Sequence, residues 1–244
     1  MNKSALMHGG SKILAVMLML GLGACASPYV NITEQDRTGV RNAKVIYMVR
    51  YVSQPPYIQT PKEVVGVGLM ASATDTQKLP SGGILASKYG YPEPTQLVAS
   101  RLAEQLRTRG RMQNLSMVAT AEPLPVKDDF GQYRSRYATG IVLEINMSGG
   151  YMLSYQPMNW KTYQFVPFGI RARMIDPKDG RMLWSTYCNI GSASGAKLTI
   201  DVSEFEANNG AAAKKVIQTA AQICADQLAD SILGSDQLKG SGSN

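Results

Sequence analysis

Three stretches in the second half of the chain constrain the fold most. In the first, Ile141, Leu143, Ile145 and Met147 alternate with Val142, Glu144 and Asn146. In the second, Phe168, Ile170, Ala172 and Met174 alternate with Gly169, Arg171 and Arg173. Successive strand side chains point to opposite faces, so each stretch reads as a half-buried strand. Asp176-Pro177-Lys178-Asp179-Gly180 then supplies turn chemistry, because proline presets its backbone and glycine takes the left-handed position. Arg181 to Ile190, carrying Trp184, returns as the partner strand. These three strands are predicted to be consecutive neighbours in an antiparallel sheet.

The flanking sequence supplies the remaining elements. Lys44 to Tyr51 is rich in β-branched and aromatic residues and reads as a first strand, stopped by Pro55-Pro56. Glu63 to Ala71 reads as a second, loosened by Gly66 and Gly68, and Leu115 to Ala119 as a short one. Thr74 to Pro94 reads as a long loop. Leu97, Val98, Leu102 and Leu106 share a helical face between Pro94 and Arg109, with proline at the start and Gly110 at the end. Ile217, Ala220, Cys224, Leu228 and Ile232 do the same between Gly210 and Leu233. The fold class is therefore α+β: one mainly antiparallel mixed sheet, with two main helices packed on one face.

The amino terminus has a different character. Lys3 and Lys12 precede an apolar run, Ile13 to Leu22, and then Gly23-Ala24-Cys25. An apolar run of about 10 residues falls short of the roughly 20 that span a bilayer. It fits the core of a secretory leader. Apolar, small, small, cysteine at the end of a basic-then-apolar leader resembles the signal of bacterial lipoproteins. That resemblance implies cleavage before Cys25 and acylation of its thiol and new amine. With Ala26 rather than aspartate after the cysteine, it implies the outer membrane, periplasmic face. Residues 1–24 are then signal peptide, 25–42 a lipidated tether, 43–234 a periplasmic domain and 235–244 a disordered Gly/Ser-rich tail. The strand ending at Ile175-Asp176, turning through glycine and continuing to Leu183-Trp184, is similar to a group of envelope lipoprotein domains. The group includes the curli-secretion lipoprotein, the lipoprotein activators of penicillin-binding proteins and the N-terminal domain of the Tol-system β-propeller protein.

Composition excludes several chemistries. Removing Lys3 and Lys12 takes the net charge from +7 to +5, with the arginines scattered, which does not suit nucleic-acid binding. The single histidine is His8, in the leader, so a chain beginning at Cys25 has no Ser-His-Asp or Cys-His pair and no histidine metal ligand. No cofactor motif stands out: Gly66-Val67-Gly68 lacks the glycine and lysine of a phosphate loop. Ser194-Gly195-Ala196-Lys197 matches the Ser-x-x-Lys of penicillin-binding enzymes but lies in a Gly/Ser-rich stretch, with no Lys-Thr-Gly in the chain. Asp128-Asp129, Asp176, Asp179, Glu204 and Glu206 form no persuasive catalytic or metal pair.

Two constellations remain. Cys188 is read on the same strand face as Trp184 and Met182, and Cys224 lies on the apolar face of the last helix. A disulfide joins them if that helix packs on the sheet; otherwise they are two separate buried thiols. Tyr151, Tyr155, Trp160 and Tyr163 cluster between two strands, with Tyr57, Tyr89 and Tyr91 in earlier loops. Such amphipathic aromatics suit a partner-binding surface, and equally a hairpin extension packed on the domain. The expected role is non-catalytic: an assembly, scaffold or accessory subunit of an envelope complex, held by outer-membrane lipid and binding envelope proteins or copies of itself. The alternatives are an oligomeric channel-forming secretion lipoprotein and a peptidoglycan-acting enzyme.

Overall fold

A computed structural model describes residues 29–53, 57–59, 81–122, 130–147, 152–155, 162–166, 168–190 and 198–234. The helices are α1 (Glu34–Arg41), α2 (Ser81–Tyr89), α3 (Pro94–Thr108), α4 (Gly131–Tyr137), α5 (Val202–Phe205) and α6 (Ala211–Leu233). The strands are β1 (Ile46–Arg50), β2 (Tyr57–Gln59), β3 (Leu115–Met117), β4 (Ile141–Met147), β5 (Met152–Tyr155), β6 (Thr162–Val166), β7 (Phe168–Asp176), β8 (Arg181–Ile190) and β9 (Thr199–Asp201).

The main sheet has the order β3-β1-β4-β7-β8. β1 runs parallel to both β3 and β4, while β4, β7 and β8 are consecutive antiparallel neighbours, as the alternation predicts. A second sheet, β2-β5-β6-β9, lies beside it in the chain's course. Tyr155 pairs with Tyr163 in its β5–β6 hairpin.

One face of the main sheet carries the principal core. Ile46, Met48, Leu143, Ile145, Ala172, Met174 and Trp184 are buried there with Val98, Leu102 and Leu106 of α3 and Ile217, Cys224 and Leu228 of α6. Glu93 caps α3, its carboxylate accepting from the Thr95 and Gln96 amides at 3.1 and 2.7 Å, so two of the four amides left open at a helix start are satisfied. The Trp184 indole donates to the Ser231 hydroxyl of α6 at 3.1 Å. Arg109 pairs with Asp230, tying α3 to α6 at the other end.

Besides adding a second sheet to the one expected, the structure departs from the sequence expectations in four places. Residues 30–42, assigned to a tether, are built into the domain. Val30 and Ser185 exchange both backbone hydrogen bonds, at 3.1 and 2.9 Å. Thr33 caps α1 by accepting from the Asp36 amide at 3.0 Å, Arg37 donates to the Ile232 carbonyl at 3.2 Å, and Val40 is buried in the core. Second, α2 interrupts the long loop expected over 74–94, despite Gly82 and Gly83, which favour the unfolded chain. Third, a bulge between Met174 and Ile175 pairs Ile175 with Met182. Met182 is thereby turned away from the face of Trp184, and Leu183 joins the core instead. Fourth, β4 is buried on both faces, because α4 covers the side expected to meet solvent. The second strand expected at 63–71 lies outside the described residues.

Candidate functional site

The covered second face of the main sheet holds a charged network. Glu144 of β4 and Arg173 of β7 stand directly opposite in register. They are 1 % and 2 % exposed. Arg173 Nη2 and Nε both donate to Glu144 Oε1, at 2.5 and 3.1 Å. The other carboxylate oxygen accepts from the Tyr133 hydroxyl of α4 at 2.9 Å. Tyr133 in turn meets the Tyr51 hydroxyl, and the guanidinium lies 5.0 Å from the centroid of the Phe130 ring. A buried charge is tolerated only when paired and hydrogen-bonded, and here both carboxylate oxygens are engaged. Burial, reinforced by the Glu144 carboxylate, raises both phenols: Tyr51 to about 12, and Tyr133 well above the usual tyrosine range. Neither phenol therefore ionises in the physiological range. The cluster locks α4 to the sheet.

The tyrosines form a second constellation, around the start of α6. Tyr89 ends α2, and its hydroxyl donates to Glu206 Oε2 at 2.5 Å. That hydrogen bond holds the Glu206 carboxyl below its ordinary value, with the Lys88 ammonium, 3.6 Å from the same oxygen, adding to the effect. Tyr91 stacks beside Tyr89, with ring centroids 6.0 Å apart. Gly210 makes this packing possible: its φ is +69°, and a Cβ there would stand 2.9 Å from Tyr91 Cε1. Burial pushes the Tyr91 phenol up to about 12. Tyr163 of β6 is 4 % exposed and packs on Phe205 of α5, with centroids 4.4 Å apart. Its ring is packing within the domain rather than free surface. Tyr155 faces Tyr163 in backbone register, and Tyr151 and Trp160 lie outside the described residues.

Cys188 of β8 and Cys224 of α6 are joined in a disulfide, with Cα atoms 5.5 Å apart. Both are buried in the core, so the bond pins the long helix to the sheet from inside. In the chain-entropy description, closing a loop of this length stabilises the fold by about 4 kcal/mol.

The carboxylates singled out in the sequence serve local structure where they are described. Asp176 and Asp179 accept backbone amides of the hairpin, from Lys178 at 3.0 Å and Arg181 at 2.8 Å. Glu204 belongs to α5, and Asp128, Asp129, Ser194, Lys197 and Cys25 lie outside the described residues. Among the described residues, no three histidine, cysteine, aspartate or glutamate groups stand together to hold a metal. A cleft of about 490 Å³ opens between α1 and the β7–β8 hairpin. It is lined by Asp36, Lys44, Thr139, Asp176, Lys178 and Arg181, with Arg181 and Asp36 paired across it at 2.9 Å.

Sequence reasoning missed Glu144, Arg173, Tyr133 and the Tyr89–Glu206 contact as interacting groups. The available signal was Tyr133 and Tyr137 four residues apart, an aromatic stripe at helical spacing that both enter the second face.

No protein-family model matches the chain, and no curated protein matches it in sequence. Solved structures are similar at a distance. PelC from Paraburkholderia phytofirmans, solved as a dodecamer, shares 14% identity over 80% of this chain and 90% of that one, with a TM-score of 0.35. Protein XCC0632 from Xanthomonas campestris shares 11% identity over 82% and 91%, with a TM-score of 0.36. Lipoprotein GNA1162 from Neisseria meningitidis shares 19% identity over 73% and 96%, with a TM-score of 0.25. Among the described residues, no helix is long and apolar enough to cross a membrane.

Proposed function

We propose that this chain is a non-catalytic lipoprotein of the bacterial envelope, anchored by acyl chains on Cys25 at the periplasmic face of the outer membrane. Its domain serves as an accessory or scaffold subunit of an envelope complex. The observation that carries this reading is the buried Cys188–Cys224 disulfide. Such bonds form and persist in oxidising compartments, and the periplasm is one. The leader ending in Gly23-Ala24-Cys25 supplies both the route to that compartment and the attachment. Two or more acyl chains make a stable anchor, at about 0.8 kcal/mol for each buried methylene.

A non-catalytic role accords with how the strongest polar groups are used. Glu144 and Arg173 are spent on each other, and Glu206 on Tyr89 and Lys88. The test is expression of the full chain in a bacterial host fed labelled fatty acid. Label on the wild type and none on Cys25→Ser supports the reading, as does co-isolation of envelope proteins that Cys25→Ser loses. A chain that turns over purified cell wall, with the activity lost in Ser194→Ala, overturns the non-catalytic assignment.

A further inference from the structure

The anchor and the fold are separated by very little chain. Val30 is held to Ser185 by two backbone hydrogen bonds, and from there the polypeptide turns directly into α1. Cys25 precedes Val30 by five residues, which at full extension reach about 18 Å. A lipidated Cys25 therefore cannot let the domain drift away from the bilayer. The edge of the main sheet formed by β8 must stay within roughly that distance of the lipid surface.

That edge has a composition suited to such a position. Among the described residues, Val30 meets β8 as an isolated bridge. Tyr29 is 65 % exposed and Tyr187 is 45 % exposed, two of the large side chains most open to solvent. Tyr187 stands beside that edge on the sheet face opposite Trp184 and Cys188, and its ring leans across β7, where Gly169 leaves it room: a Cβ at that position would overlap the phenol. Asn189, further along the same edge, is also exposed. Tyrosine presents an apolar body and a polar tip, which suits the headgroup level of a bilayer. Open backbone groups on a strand edge are tolerated there, where water is present, and not in the hydrocarbon core.

We infer that the β8 edge, with Tyr29 and Tyr187, is the surface of this domain that rests on the phospholipid headgroups. The inference rests on the acylation of Cys25 proposed above and deepens it, since it fixes which side of the domain remains free for partners. The opposite edge, β3, lies four strand spacings away and faces the periplasm.

The experiment reads the two edges against each other. Full-length Tyr187→Trp, Tyr29→Trp and Ser116→Trp are purified in acylated form from a bacterial host. Each is bound to vesicles of phosphatidylethanolamine and phosphatidylglycerol that carry a headgroup-nitroxide lipid. Mass spectrometry of the Cys25 peptide and flotation with the vesicles come first: absence of acyl chains removes both the anchor and the docking surface. With acyl chains present, the tryptophans at 187 and 29 should be quenched roughly threefold more than that at 116, across a separation of about 19 Å. Equal quenching at the three positions, or stronger quenching at 116, overturns the docking surface and leaves the anchor standing. Concentration-dependent protection of 187 from a nitroxide that is free in solution, without quenching by the lipid-bound one, assigns the edge to a protein strand and overturns the inference as well.

Discussion

On one face of the five-stranded sheet, Met48, Leu143, Ile145, Ala172 and Met174 lie under two helices in an apolar core. On the other face, Glu144, Arg173, Tyr133 and Tyr51 are buried just as deeply under the short α4, through hydrogen bonds and a salt bridge. The first face is stabilised by area removed from water and by packing, and tolerates exchange of one apolar side chain for another of similar size. The second depends on particular partners, since an orphaned buried charge costs far more than a lost contact. The comparison shows that a strand carrying alternate polar residues need not have a wet side.

Three experiments press on that difference, and a fourth probes a contact outside it. Arg173→Ala leaves the Glu144 carboxylate buried without its cation and should cost about 3–5 kcal/mol in urea unfolding at neutral pH. The paired replacement of Glu144→Leu with Arg173→Met should recover most of it; a single variant as stable as the wild type would mean that water reaches this face. Removing the disulfide with Cys188→Ala and Cys224→Ala tests the apolar face and should cost about 2–4 kcal/mol, with the same far-ultraviolet circular dichroism. Tyr133→Phe keeps the ring under α4 and deletes the hydrogen bonds of its hydroxyl to the Glu144 carboxylate and with the Tyr51 hydroxyl, for a loss of about 1.5–3 kcal/mol. The smallest effect lies outside both faces, at the contact of α1 with the hairpin. The hydrogen bond from Arg181, and then that from Thr33, holds the Asp36 carboxyl below its ordinary value. A depressed folded-state value stabilises the fold at higher pH, and that contribution is lost as the pH falls below about 4 and through the folded value. Thermal unfolding followed from pH 6 to pH 2.5 should therefore show a shallower acid decline for Arg181→Gln than for the wild type.

What the sequence made legible follows the same division. The strands β4, β7 and β8 and the helices α3 and α6 each repeat apolar residues at their own period, and burial against one another follows from that repetition. The pairing of Glu144 with Arg173 leaves no such trace. The residues are 29 apart, each looks like an ordinary solvent-facing position, and only the β4–β7 register brings them opposite. The helix α1 was hidden for a related reason. It is eight residues long and sinks one apolar side chain, Val40, so its periodicity is too brief to register, although Thr33 with Asp36 three residues on is a capping pattern. The tyrosines were visible as a cluster, but whether an aromatic ring packs inward or faces a partner depends on neighbours such as Phe205 and Gly210, contributed from 40 or more residues away. Glu206 reads in the sequence as one more solvated carboxylate, and only the fold sets the Tyr89 hydroxyl against it.

The assignment to the envelope depends most directly on what the cell does to the three cysteines. Intact-mass and non-reduced peptide analysis of the protein taken from the membranes of its bacterial host reads all three at once. The expected result is a chain that starts at an acylated Cys25, with Cys188 and Cys224 joined and no free thiol. A chain that still begins at Met1 with all three thiols free would contradict the anchor, the compartment and the role proposed for the domain.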